Sequence, residues 1–149
     1  MSYSIIETGL KAIIKKVTGY TDANVALGDF RVLNAGYTKV IILTQGSFTN
    51  RRLAMGGEKE RLWAIQINLF IKYKDDAQVH TDLVTEKQLI LEKVDEYPEL
   101  DNVNGVIEAL VISGDVPRRV FDDSGAGPHY FALTLTCQIK ELVYMTEKE

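Results

Sequence analysis

Two histidines, one cysteine and a pair of adjacent aspartates are the main reactive side chains that this chain of 149 residues offers to a substrate or a metal ion. Hydrolysis or group transfer needs a nucleophile, a base and an orienting group that converge on one pocket. His80 falls in the first turns of a helical segment and His129 follows Pro128 in a loop, and neither has a Cys, His or carboxylate at metal-ligand spacing. Both read as solvated surface histidines. Cys137 sits among alternating apolar residues, so it reads as a small core residue, and as the sole cysteine it can form no disulfide within the chain. Asp122 and Asp123 beside Gly125 and Gly127 lack the alternating oxygen ligands and terminal bidentate Glu of a calcium loop. Gly56-Gly57 runs into Glu58, where a phosphate cradle needs Lys and then Ser or Thr. The acidic residues Glu86, Glu92, Asp95, Glu96 and Glu99 read as the solvated face of a helix. The expectation is a protein that is not an enzyme and carries no catalytic residue, cofactor or metal.

A different set of side chains points to contact with other proteins. Phe48, Arg51, Arg52, Leu53, Met55, Lys59 and Arg61 cluster in one segment, and Arg118, Arg119, Asp122 and Asp123 in another. Basic and acidic loops on one subunit can pair between neighbours in a head-to-tail ring. The net charge of −4, from 17 basic and 21 acidic residues, argues against a dedicated nucleic-acid binder, which carries a basic excess.

The elements that must position these residues follow from periodicity. Arg61 to Tyr73 places Trp63, Ile65, Ile67, Leu69, Ile71 and Tyr73 on one face of a long strand, while Gln66, Asn68 and Lys72 fall on the other. Phe131, Leu133, Leu135, Cys137 and Ile139 repeat the design in a final strand from Tyr130 to about Val143. The second faces carry mostly Gln, Asn and Thr in a chain that is 26% charged, as if one face is core and the other is wet or covered by another subunit. A first helix from about Tyr3 to Val17 has capping-box spacing at Ser4 and Glu7, with Ile6, Leu10, Ile13, Ile14 and Val17 on one side. A second runs from Asp75 to Tyr97 with Val79, Leu83, Ile90 and Val94 inward, stopped by Pro98. Lys39–Thr44 and Val106–Ser113 read as further strands, Val25–Leu33 as a short strand or irregular crossing, and Gly114–Phe121 as a bent edge or arm. Between Gln45 and Glu60 the alternation stops, which predicts a long hairpin arm and the leading contact element.

The chain is expected to be one domain, 1–149, of α+β class: a mostly antiparallel sheet of four to five strands with two helices packed on one face, plus the long hairpin arm. No apolar run is long enough to cross a bilayer, and nothing at the N-terminus has the pattern of a secretion signal, so cytosolic synthesis without a membrane partner is expected.

The helix SIIETGLKAIIKKV, the strand KVIILTQGSF, the arm, the strand RLWAIQINLFIKY, the helix ending EYPEL and the closing YFALTLTCQIKEL together resemble the tail terminator (tail completion) proteins of long-tailed bacteriophages. The resemblance implies a structural virion protein that assembles into a homohexameric ring, caps the tail tube, ends its polymerisation and provides the head-joining surface. The implied partners are further copies of the chain, the tail tube protein and a head-completion or connector protein. Genomic DNA would pass through the lumen without specific binding. The implied location is the tail or neck of the virion, and the host cytoplasm during assembly. Head-closure or connector-completion proteins and tail tube subunits of the neck region are the alternatives within that class. A small enzyme or ligand-binding α+β domain is the alternative outside it.

Overall fold

The computed structural model describes residues 3–35, 37–52, 58–72, 76–103, 105–120 and 130–144. In chain order these form α1 (Tyr3–Ile14), β1 (Val25–Leu27), a 3-10 turn (Phe30–Ala35), β2 (Lys39–Arg52), β3 (Glu58–Lys72), α2 (Asp76–Glu96), β4 (Val106–Gly114), β5 (Arg118–Val120) and β6 (Tyr130–Tyr144). The strands lie in the order β1-β2-β3-β6-β4, with β5 also on β6. Every pairing is antiparallel except that of β1 with β2, so the sheet is mixed and the fold is α+β. Among the described residues no helix is long and apolar enough to cross a membrane.

Alternation along β3 and β6 decides the core. Ile65, Ile67 and Leu69 are matched in register with Cys137, Leu135 and Leu133, and all six are buried. They share one cluster with Ile6, Leu10, Ile13 and Ile14 of α1 and with Val79, Leu83, Ile90 and Val94 of α2. Each such side chain contributes roughly 1.5–3 kcal/mol when fully removed from water. Trp63, expected in this core, is only partly buried and packs against its margin. There its indole nitrogen finds an acceptor in the buried Glu141 carboxylate, Nε1 donating to Oε1 at 3.1 Å.

The opposite face departs from the expectation of a wholly wet or partner-covered surface. Val40, Ile42, Phe70, Tyr130 and Ala132 form a second, smaller core, against which Ala26, Val32 and Leu33 pack from β1 and the 3-10 turn. The Tyr130 hydroxyl donates to the carbonyls of Leu33 and Tyr37, at 3.0 and 3.2 Å, tying that turn down. Next to this core, Asn68 and Thr134 are buried as a polar ladder. Asn68 Nδ2 donates to the Ile42 carbonyl and to Thr44 Oγ1, and Thr134 Oγ1 donates to Asn68 Oδ1. Part of the uncharged polar pattern therefore satisfies the sheet internally.

Boundaries shift in smaller ways. The regular α1 ends at Ile14 and a turn carries Val17 into the core. Val25–Leu33 resolves into the short β1 and the start of the 3-10 turn. Past Pro98, the left-handed backbones of Leu100, Asp101 and Asn102 reverse the chain toward β4.

Candidate assembly interface

The segment expected to form a long hairpin arm, Gln45 to Glu60, is regular strand where it is described: β2 continues to Arg52 and β3 begins at Glu58. A β-bulge between Gln45 and Phe48 hides this in the sequence. Ile41, Leu43 and Gln45 oppose Leu69, Ile67 and Ile65. After the bulge Phe48 opposes Trp63 and Asn50 opposes Arg61, so the inward positions change from odd to even numbers. Gly46 makes the bulge possible, because a Cβ there would stand 2.7 Å from the Ala64 carbonyl oxygen.

The bulge re-aims Phe48 onto the aromatic margin of the core. Its ring stacks on Trp63 at 5.2 Å between centroids, and the Tyr3 ring lies tilted against the same indole at 5.4 Å. Phe48 nevertheless remains 57% exposed. On the opposite face Arg51 reaches Glu60 at 3.6 Å, an ion pair whose basic partner is well exposed and whose acidic partner is nearly buried. Arg52 is exposed, whereas Lys59 and Arg61 are half-buried. Leu53, Met55, Asp122 and Asp123 lie outside the described residues, as does His129.

Arg118 is exposed in β5, and Arg119 belongs to the same strand. Register shows that the arginines of β5 do not converge with the hairpin patch. Arg118 opposes Ala132 near the start of β6, whereas Arg61 opposes Glu141 near its end, roughly 30 Å away at about 3.3 Å per residue. The basic hairpin and the β5 arginines occupy opposite ends of the sheet. Two acidic residues that the pattern did not single out stand closer to the hairpin end: Glu141, buried beside Trp63, and Glu108, exposed on β4 opposite Lys140. Glu141 stands in an inward position of a strand, where a carboxylate gives no periodic signal of its own.

Elsewhere the charged groups serve the fold. Lys39 Nζ donates to Glu86 Oε1 at 2.8 Å and to the Thr18 carbonyl at 3.2 Å, and lies 4.5 Å from the centre of the Tyr20 ring. The Tyr20 hydroxyl donates to Glu86 Oε2 at 2.9 Å. Burial first, and then the Glu86 charge, push the Tyr20 hydroxyl far above its ordinary ionisation range. Glu86 is thus not part of a solvated acidic face, although Glu92, Asp95, Glu96 and Glu99 are exposed. His80 is exposed on α2. Cys137 is buried, and desolvation pushes its thiol up from 9.0 to about 12, so the thiolate needed for nucleophilic attack is suppressed.

The depression between α2 and β4, about 290 Å³, is lined by Lys87, Leu91 and Leu133 among others, with Asp115 as its single carboxylate. A second, of about 240 Å³, holds the Lys39–Glu86 pair together with Lys72 and Asp82. The first stands at the lower end of the usual range of roughly 300–1,000 Å³ for ligand pockets and the second falls below it. Among the described residues no group of three His, Cys, Asp or Glu side chains has the arrangement of a metal site. The surface features that stand out are the hairpin end and the strand edges beside it. No family model and no curated protein matches this chain.

Proposed function

We propose that this protein is a subunit of a ring that caps a bacteriophage tail tube, stops its polymerisation and presents the surface to which the head is joined. In this reading the two helices back one face of the sheet, and the β2–β3 hairpin is the arm through which subunits meet each other or the tube. The protein acts in the virion neck after assembly in the host cytoplasm, with DNA passing through the lumen.

The observation that carries the reading is the hairpin end. Phe48 through Arg52 continue as regular strand, yet all five side chains are exposed. An exposed aromatic residue and two arginines on a strand are the composition of a contact surface, since Phe and Arg are enriched in interfaces. The resemblance in order and texture of elements supplies the kind of assembly.

The test is the mass of the native particle in solution together with negative-stain images. A ring of several copies is expected. A monomer at all concentrations, with no ring formed on tail tubes, would overturn the proposal.

A further inference from the structure

Among the described residues the sheet has two open edges. Among the described residues, β1 covers the outer side of β2 only along Ile41–Leu43, leaving Thr44–Arg52 without a strand neighbour there. On the other side β4 is the last strand in the order, and its run Val106–Gly114 is as long as the free stretch of β2. Exposed edges of this length are templates for pairing unless charge, proline or cover blunts them. β4 contains neither Lys nor Pro and its single charge is Glu108, while it exposes Ile107, Leu110 and Ile112 at 44, 43 and 51%. Its bulges, at Val106/Glu108 and Val111/Ser113, leave Glu108–Val111 as the regular segment.

We propose that these edges join in the ring, β2 of one subunit adding to β4 of the next, antiparallel, with Arg51 opposite Glu108 and Phe48 opposite Val111. The inference rests on the ring reading above and specifies its contact. Direction follows from symmetry. Within one subunit β4 runs opposite to β6, β6 opposite to β3 and β3 opposite to β2, so β4 and β2 are antiparallel. Rotation about a ring axis preserves the axial direction of each strand, so the neighbour's β2 also runs against β4.

Register follows from the two faces. Directly opposed residues in a sheet share a face. Phe48, through Trp63 and Ile139, lies on the same face as Ala109 and Val111. Thr49 and Arg51, through Leu62 and Glu60, lie on the face of Glu108 and Leu110. A continuous sheet must therefore match Phe48 with Val111 or Ala109, never with Leu110. The Val111 match also sets Thr49 against Leu110 and Arg51 against Glu108. It meets the exposed basic residue with the exposed acidic one, and Arg51 then lies between Glu60 of its own subunit and Glu108 of the next. One register satisfies face, charge and apolar contact together.

Cysteine pairs test it on the full chain. β2 and β4 are separated by β3 and β6, about 14 Å across three strand spacings, whereas a disulfide needs Cα atoms within about 7 Å. A disulfide between Thr49→Cys and Leu110→Cys must then join two chains. Mild oxidation should give a ladder of covalent multimers, and pairing Thr49→Cys with Ile112→Cys should give about ten-fold less, since that pair is displaced along the strand. Glu108→Lys should raise the concentration for half-assembly by about ten-fold or more while leaving the monomer folded, because like charges would then face each other. Particles with the mass of a ring but no Thr49–Leu110 ladder would overturn the edge pairing and leave the ring intact. A monomer throughout would overturn both. Unchanged assembly in Glu108→Lys would overturn the register.

Discussion

Lys39, Glu86 and Tyr20 show how little of a side chain's role is visible in its type. Lys39→Met should lower unfolding free energy by about 1–3 kcal/mol, because the half-buried Glu86 carboxylate loses its cation and keeps only the Tyr20 hydroxyl. Urea denaturation measures this, and an unchanged midpoint would show that solvent compensates the carboxylate fully. Cys137 gives a pH dependence. With the folded thiol raised to about 12 from 9.0, the unfolded chain loses its thiol proton first as pH rises. The native state above pH 9 then binds more protons than the unfolded one, so stability present below pH 9 declines toward pH 12, by at most about 1.4 kcal/mol per pH unit from this group. Cys137→Ala should flatten the slope of stability against pH between 9 and 11 by up to that amount. An identical slope would assign the alkaline loss to other groups, such as Tyr20.

At the scale of elements, the bulge in β2 and the alternation of β3 make opposite demands on sequence. Alternation is robust: Ile67→Asp puts an unpaired charge at a fully buried position and should remove several kcal/mol from a total of about 5–15, leaving no soluble folded protein. A soluble variant with native thermal stability would show that the face is misassigned. The bulge depends on one residue. Gly46→Ala drives a Cβ into the Ala64 carbonyl oxygen, so the hairpin must shift, at a cost of about 1–3 kcal/mol. Trp63 is the sole tryptophan, and its stacking on Phe48 makes its fluorescence the readout. Emission should move to longer wavelength as the stack opens. An unaltered spectrum and melting temperature would mean that the bulge relaxes without moving Phe48.

For the whole molecule, the proposed role requires that hairpin changes spare the subunit and disturb the assembly. Arg51→Glu with Arg52→Glu should leave the monomer folded, since exposed charges seldom change stability by more than about 0.5 kcal/mol, though Arg51 also gives up a weak ion pair. Capping should fail and tails in infected-cell lysates should vary in length by electron microscopy; a normal narrow distribution would make these arginines ordinary solvated surface. The sequence by itself determined the α+β class, the two helices, the long strands and the buried faces of Ile65, Ile67, Leu69, Leu133 and Leu135, because burial of one face writes itself into local periodicity. It left three things to tertiary structure. The bulge at Gly46 looks like the end of a strand because one extra residue inverts the phase. The second core under the 3-10 turn depends on Tyr130 reaching Leu33 and Tyr37 across nearly a hundred residues, which no local pattern records. The separation of the basic hairpin from the β5 arginines, and the edges of β2 and β4 left open among the described residues, are consequences of register and strand order. Strand order is fixed by long-range pairing that each strand's own residues leave unspecified.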